Sequence, residues 1–387
     1  MLRNVREEAL RLAVALLLIG LTAGATEAGS LTVAWDANRE PDIAGYRVSY
    51  GTQSGTFTTA VDVGNQTSWQ FTNLAEGMAY YFVVQAYNSS GAFSPVSGEV
   101  SGRVGNQPFI DYDGDGIGDV VVYRQATGEW FVRKSSGGWT SKIWGGTASD
   151  KAVPGDYDGD ARMDIAVYRA ATGEWFIIPS STGIWYSRTL GGTAADQPVP
   201  RDYDGDGKTD VAVYRSTTGE WFIISSLTGV AQRILWGGTP TDVPVPADYD
   251  GDRKADIAVY RGATGEWFLG QSATGGWIRS VWGGTIADVP VPGDYDGDHR
   301  ADIAVYRKTT GEWFMRQSST GGWIGRAWGG TLADKPVPGD YDGDGTTDVA
   351  VYRETTGQWF VIKSSTGTWI SYTWGGTTTD LPLSSFF

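Results

Sequence analysis

The chain has 387 residues, including 55 Gly and 18 Trp, and its 45 acidic residues against 30 basic ones give a formal net charge of −15. That charge argues against a nucleic-acid partner, because binding phosphate needs a basic surface. The absence of Cys excludes disulfides, thiolate metal sites and cysteine catalysis, and the single His removes most His-based catalytic arrangements.

The length allows two or three domains, and an apolar fraction of 41% excludes disorder as the dominant state. Residues 1–25 read as an export signal. Arg3, Arg6 and Arg11 flank its start, residues 12–21 form an apolar run, and Ala23-Gly24-Ala25 fits a small-residue cleavage pattern; cleavage after Ala28 fits as well. Such a run is too short to cross a bilayer, which takes about 20 residues, and no other segment is apolar enough to do so. No Cys follows it, so no lipid anchor is expected there. The mature chain is expected outside the cytoplasm, secreted or at the cell surface.

Residues 30–102 carry successive short apolar or alternating runs, LTVAW, GYRVSYG, TTAVDVG, SWQFTNL, YYFVVQAYN and SPVSGEVSG, separated by Gly, Asn, Ser or Pro. So many strands in so few residues predict a β-sandwich. With Trp35 in the second strand, Tyr46 in the third and the run from Leu74 to Tyr80, this stretch resembles a fibronectin type III domain. The resemblance implies that Leu74 packs in the core, that Tyr80 forms the tyrosine corner, and that the domain acts as a spacer or a binding module. Phe82, Val84 and Ala86 are expected on one buried face. Residues 103–107 read as a linker.

From residue 108 to 387 the chain repeats. The segment DYDGD begins at Asp111, Asp156, Asp202, Asp248, Asp294 and Asp340, at intervals of 45 and then 46 residues. A period in the 40s with four apolar runs per unit, such as VPVPADY, DIAVYR, GEWFLG and WIRSVWGG, predicts a β-propeller of four-stranded blades. In VPVP alternate residues lack an N–H, so this strand belongs at a sheet edge, expected innermost, with DIAVYR beside it. There are seven candidates for that first strand, from PFIDY (108–112) to the terminal LPLSSFF, but six copies of the rest. Six blades are favoured, with the C-terminal strand completing the blade that the N-terminus begins; seven remain an alternative. The whole chain is therefore expected to be all-β.

Each repeat carries D-x-D-x-D-x-x-x-D. The carboxylates are Asp111, Asp113, Asp115 and Asp119; Asp156, Asp158, Asp160 and Asp164; Asp202, Asp204, Asp206 and Asp210; Asp248, Asp250, Asp252 and Asp256; Asp294, Asp296, Asp298 and Asp302; and Asp340, Asp342, Asp344 and Asp348. Hard oxygen ligands at this spacing suit Ca²⁺ and match the first part of an EF-hand loop. At loop position 7 a backbone carbonyl is expected from Ile117, Met163, Thr209, Ala255, Ala301 and Thr347. The Glu that ends an EF-hand loop is missing; Val122, Val167, Val213, Val259, Val305 and Val351 stand in its place. Four carboxylates in nine residues, repeated without a cation, would repel at about 1 kcal/mol per close pair even in water. These loops resemble FG-GAP or VCBS-like repeats, the calcium-binding blades of integrin-α-type propellers, although the literal FG-GAP sequence is replaced by WGG or LGG. The resemblance implies up to six Ca²⁺, one per loop. A left-handed backbone is expected at loop position 6. Gly116, Gly207 and Gly345 suit it better than Ala161, Arg253 and His299, which predicts tighter binding in the first, third and sixth loops.

Sixteen of the 18 Trp fall in the repeats, in three columns. The first, Trp130, Trp175, Trp221, Trp267, Trp313 and Trp359, is unbroken and suits packing between blades. The second, Trp139, Trp185, Trp277, Trp323 and Trp369, is broken at Ala231. The third, Trp144, Trp236, Trp282, Trp328 and Trp374, is broken at Leu190. The broken columns are the better candidates for exposed, sugar-stacking rings. The Arg after each Val-Tyr and the Glu (Gln358 in the last unit) before each first-column Trp are expected to pair across strands. Asn65 and Asn88 head N-x-S/T sequons.

These readings converge on an exported, calcium-stabilised propeller that serves adhesion or binding without catalysis, taking an extracellular protein or glycan as its partner and expected as a monomer. One alternative is a calcium-dependent lectin with Trp-lined sites. A more distant one is a polysaccharide lyase or hydrolase, disfavoured because every plausible catalytic acid recurs in nearly every unit. The 24 loop aspartates account for the acidity, since the other 21 acidic residues face 30 basic ones.

Overall fold

The computed structural model describes residues 29–384, apart from 39, 41, 53–54, 75–78, 105–109 and 378. The expected export signal, residues 75–78 of the tyrosine-corner run, most of the linker, the start of PFIDY and the end of LPLSSFF lie outside the described residues. The chain divides into two compact units between Gly105 and Asn106.

In the first unit, strands β1 (Gly29–Ala34), β2 (Ile43–Gly51), β3 (Thr59–Gly64), β4 (Ser68–Leu74), β5 (Ala79–Asn88) and β6 (Val100–Arg103) form two antiparallel sheets, β1-β4 and β3-β2-β5-β6. Trp35 follows β1 and Tyr46 lies in β2, each one strand earlier than expected, because β1 is the first strand among the described residues. Phe82, Val84 and Ala86, on one face of β5, share a core with Leu74, Tyr80, Trp35 and Tyr46, while Tyr81 and Val83 on its other face are buried as well. Of the run SPVSGEVSG only the end is a strand. Pro95 interrupts the pairing, and the hydroxyls of Ser94 and Ser97 instead accept the Ala86 and Val84 N–H groups at 3.0 and 2.9 Å. Asn88 is engaged in a turn, where its Oδ1 accepts the Ser90 and Ala92 N–H groups.

The second unit is a propeller of six four-stranded antiparallel blades. The third blade is typical, running Asp196–Pro198, Val211–Arg215, Glu220–Ile224 and Ala231–Leu235. The Pro-bearing strand stands at one edge and is three residues long, since Pro cannot donate to a second neighbour. The fourth strand, at the other edge, is mostly solvent-exposed, which marks the Pro strand as the inner one. The surplus first strand is resolved by closure. Asp380–Pro382 joins Val120–Arg124, Glu129–Arg133 and Trp139–Ile143, so the two ends of the unit share the first blade. Residues 110 and 111 precede that blade's second strand without forming a strand of their own.

Neighbouring blades bury apolar faces against each other. Val199, Ala212, Tyr214, Trp221 and Ile223 of the third blade pack on Val259 of the fourth, and equivalent clusters recur around the ring. The first-column Trp rings are fully buried, and each indole N–H reaches the backbone carbonyl of the residue before Gly-Gly, as from Trp221 to Trp236 at 3.1 Å. The Val residues that replace the EF-hand Glu are core residues of these interfaces.

Each blade is also fastened by an ion pair that differs from the one expected. The Arg of Val-Tyr-Arg pairs chiefly with the Asp that opens the inner strand of its own blade, as Arg215 does with Asp196 at 2.8 Å. The Glu partner is secondary, with Arg215 and Glu220 3.7 Å apart, while Glu220 and Glu266 turn to Arg233 and Arg279 on the outer strand. The Asp side chains are wholly buried and lie directly opposite the Arg in the strand register, whereas the Glu is partly exposed.

Candidate metal centre and aromatic rim

The aspartate loops join the inner strand to the second strand of each blade, except that the first loop leads into a blade whose inner strand comes from the C-terminus. In the third loop, Asp202 at position 1 accepts the N–H groups of Gly205 and Gly207 at 2.6 and 2.8 Å. Asp210 at position 9 accepts the N–H of Tyr203 at 2.8 Å and that of Ser226 at 2.6 Å. All six loops repeat this frame, which folds nine residues around their own carboxylates.

The frame brings carboxylates together. Oxygens of Asp111, Asp113 and Asp115 lie within 4.8 Å of one another, as do those of Asp202, Asp204 and Asp206, of Asp248, Asp250 and Asp252, and of Asp294, Asp296 and Asp298; in the second loop the group is Asp156, Asp158 and Asp164. Position 6 is left-handed throughout, with φ of 89°, 83° and 86° at Gly116, Gly207 and Gly345, and of 65°, 69° and 66° at Ala161, Arg253 and His299. The position-1 carboxylate holds it there by accepting its N–H, as Asp248 does from Arg253 at 2.7 Å.

The donor set fits a hard divalent cation. It consists of oxygen alone, and among the described residues one buried oxygen on each of Asp113, Asp296 and Asp342, all at position 3, has no hydrogen-bond partner. An orphaned buried carboxylate oxygen costs free energy that a cation would recover. Burial, reinforced by neighbouring carboxylates and opposed by the N–H donors, lifts Asp156 and Asp164 to about 8, Asp119, Asp202, Asp248, Asp302 and Asp348 to about 7, and Asp210, Asp256 and Asp340 to about 6.

Two features of the loops were not anticipated. Serines from the turn between the third and fourth strands close over each loop. Ser364 and Ser365 donate to Asp344 and Asp342 at 2.9 and 2.5 Å, and Ser318 and Ser319 treat Asp298 and Asp296 likewise. Where Leu227 replaces the second Ser of the third blade, Ser225 takes over the bond to Asp204 at 2.5 Å. The recurring Ser at 135, 180, 226, 272, 318 and 364 was a signal that could have revealed this.

The second feature concerns the residues expected to offer a carbonyl. Ile117 stands at position 7, but Met163, Thr209, Ala255, Ala301 and Thr347 stand at position 8; the equivalents of Ile117 are Arg162, Lys208, Lys254, Arg300 and Thr346. The position-8 N–H donates to the position-1 carbonyl of the preceding loop. Met163 bonds Asp111 at 2.7 Å, Thr209 bonds Asp156 at 2.6 Å, and Gly118 closes the circle on Asp340 at 2.6 Å. All six loops are thus joined in one hydrogen-bonded hoop. The position-7 side chains lie over the position-4 glycines of the preceding loop, where a Cβ on Gly159 would come within 2.9 Å of Lys208.

The two broken Trp columns meet at the rim. Trp139 lies 6.0 Å from Trp374, Trp144 6.0 Å from Trp185, Trp236 6.4 Å from Trp277, Trp282 6.3 Å from Trp323 and Trp328 6.2 Å from Trp369. Each pair spans two adjacent blades. The third-column ring is half-buried and donates its N–H to the next blade, as Trp236 does to the Phe268 carbonyl at 3.1 Å. The second-column ring is exposed, from 56% at Trp185 to 64% at Trp139.

Comparison with known proteins agrees with this architecture. Residues 20–103 match the fibronectin type III domain, and residues 111–167 and 202–259 match the FG-GAP-like repeat. The chain is therefore a fibronectin type III domain followed by an FG-GAP-repeat β-propeller. A Kelch domain-containing protein of Saccharolobus solfataricus is 43% identical over 68 residues, which is 18% of this chain and 9% of that relative. The chain thus spans under a tenth of that protein's length. Among solved structures, an Agrocybe aegerita lectin described as recognising non-reducing terminal N-acetylglucosamine has 14% identity and a TM-score of 0.46, over 66% of this chain and 75% of its own. Citrobacter koseri AztD has 10% identity and a TM-score of 0.43, over 88% and 97%.

Proposed function

We propose that this chain is an exported, non-enzymatic binding module whose propeller is held in shape by calcium. The observation that carries the reading is the six-fold recurrence of convergent carboxylates, three of them with a buried oxygen that no hydrogen bond satisfies. The carboxylates at positions 1, 3 and 5, or 1, 3 and 9 in the second loop, would hold the ion, assisted by the position-7 carbonyl. The Ser hydroxyls fix the outward oxygens of positions 3 and 5, and position 9 anchors the loop to the backbone. Bound calcium would neutralise the crowded charge and stiffen the turn between the inner strands, the task that disulfides perform in many exported domains. Six ions would bring the chain after residue 25 from −16 to −4.

Export is supported by the leader-like residues 1–25 and by domain types common outside cells. The absence of catalysis is supported by the recurrence of each plausible candidate acid in nearly every blade. Metal content after equilibration in calcium and dialysis, measured with melting temperature, tests the proposal. Several ions per chain and a melting temperature lowered by EDTA are expected; a metal-free chain that melts identically with and without calcium would overturn it.

A further inference from the structure

The two gaps in the Trp columns coincide in space. Leu190 packs against the same buried core between the second and third blades as Phe222 and Ile224 of the third blade, and Ile224 is the strand partner of Ala231. Both replacements therefore fall at the junction of the second and third blades, where the other five junctions carry a Trp pair. A pair lost as a unit behaves as one site. The rings of a pair meet at 54–69°, forming an open notch with one exposed face and one half-buried wall. At the junction of the first and second blades a cavity of about 250 Å³ adjoins the notch, lined by Trp144, Phe176 and the Arg169 guanidinium among others.

We propose that the five notches are saccharide sites, each taking one pyranose ring with equatorial substituents, as in β-1,4-linked glucans and chitin. Such rings present C–H faces that stack on indole, while their hydroxyls need polar neighbours. In the first blade the fourth strand supplies them, with Thr140, Ser141 and Lys142 after Trp139, and elsewhere Arg188, Arg279 and Arg326 stand on the equivalent strands. A packing role alone leaves the exposure unexplained, because the first-column rings that do pack are fully buried. A protein or membrane surface would call for one contiguous apolar patch. Here there are five small, separate and alike notches around a ring, which suits a ligand that is itself repetitive. The inference rests on reading the propeller as a binding module; it does not depend on calcium.

The calcium-equilibrated full chain is titrated calorimetrically with cellohexaose and with chitohexaose, and its retention on swollen cellulose and on chitin beads is measured. Five sites per chain are expected for at least one of these sugars. W277A or W323A should remove one site each, and the double variant L190W/A231W should add a sixth. Substituting all five exposed Trp should weaken bead retention at least 100-fold, as loss of multivalency does. A chain that binds neither sugar nor either polymer overturns the proposal, as does a site count that these variants leave unchanged. If the five-fold variant fails to fold, the gain of a site in L190W/A231W decides the question. Melting with and without calcium is recorded in parallel, so that failure of the calcium reading registers there and not in the sugar count.

Discussion

The Arg124 guanidinium donates to the Asp380 carboxylate at 2.8 Å across 256 residues of sequence. It is the same bond that Arg169, Arg215, Arg261, Arg307 and Arg353 make within 19 residues. One unit of the repeat is cut by the chain ends, and the same side chains rejoin it.

Breaking the pair by D380A leaves the Arg124 guanidinium at the seam of the ring with only the partly exposed Glu129, 3.2 Å away, as its partner. The expected cost is about 2 kcal/mol, below the roughly 3–5 kcal/mol of a fully buried half-removed pair, because Arg124 is partly exposed and keeps Glu129. D196A removes the equivalent pair without touching the seam. In urea unfolding both variants should be destabilised, and D380A should also broaden the transition by letting the first blade open separately.

Acid should act on these pairs at a definite place. Burial alone would raise Asp196, Asp242 and Asp380, but hydrogen bonds from the Arg and Thr partners, with the Arg charge, hold each below the usual carboxylate range. A folded pKa below the unfolded value gives stability that is complete above the unfolded value, about 4, and lost as pH falls through the folded one. This part of the stability should stay flat from pH 8 to 5 and decay only below about 4, as melting temperature against pH will register.

The loop carboxylates should behave in the opposite way. Their folded values of about 6 to 8 exceed the unfolded one, so the metal-free fold binds extra protons across that range. In EDTA the melting temperature is expected to fall as pH rises from 5 to 8. Calcium, which needs the ionised carboxylates, should flatten or reverse that slope.

Position 6 offers a test of backbone strain. Arg253 sits at φ 69° where Gly207 and Gly345 sit without penalty. A non-Gly residue there costs about 1–2 kcal/mol, partly offset by the entropy that Gly loses on folding. R253G should raise stability by up to about 1 kcal/mol and tighten the fourth loop's metal affinity. H299G should do the same in the fifth loop, read by metal titration of the variants against the native chain.

The position-3 carboxylates provide the sharpest count. D342N keeps the shape and the Ser365 contact but removes a charge and a ligand. Measured metal content should fall by one ion per chain, with the other five loops unaffected.

Much of this architecture was legible because it is local. The aspartate spacing, the left-handed position 6 and the edge placement of VPVP each follow from a few adjacent residues. What escaped depended on contacts between segments. The Asp that opens each inner strand, Asp150 and its five equivalents, stands in the sequence as regularly as the loop aspartates. Yet the adjacent Glu looked the nearer partner for Arg until the strand register was known. The Ser lids and the position-8 bonds reach across 20 or more residues. The pairing of Leu190 with Ala231 emerges only when one blade is set against the next.

The shared first blade has a last consequence. A linear array of repeats must end in capping units with polar outer faces, and none of the six blades here is of that kind. With both ends woven into one sheet, every blade has two neighbours and no unit is terminal. The place where the propeller starts is then a matter of connectivity alone, and new ends opened at any turn between blades, with the propeller's present ones joined, would leave the same ring.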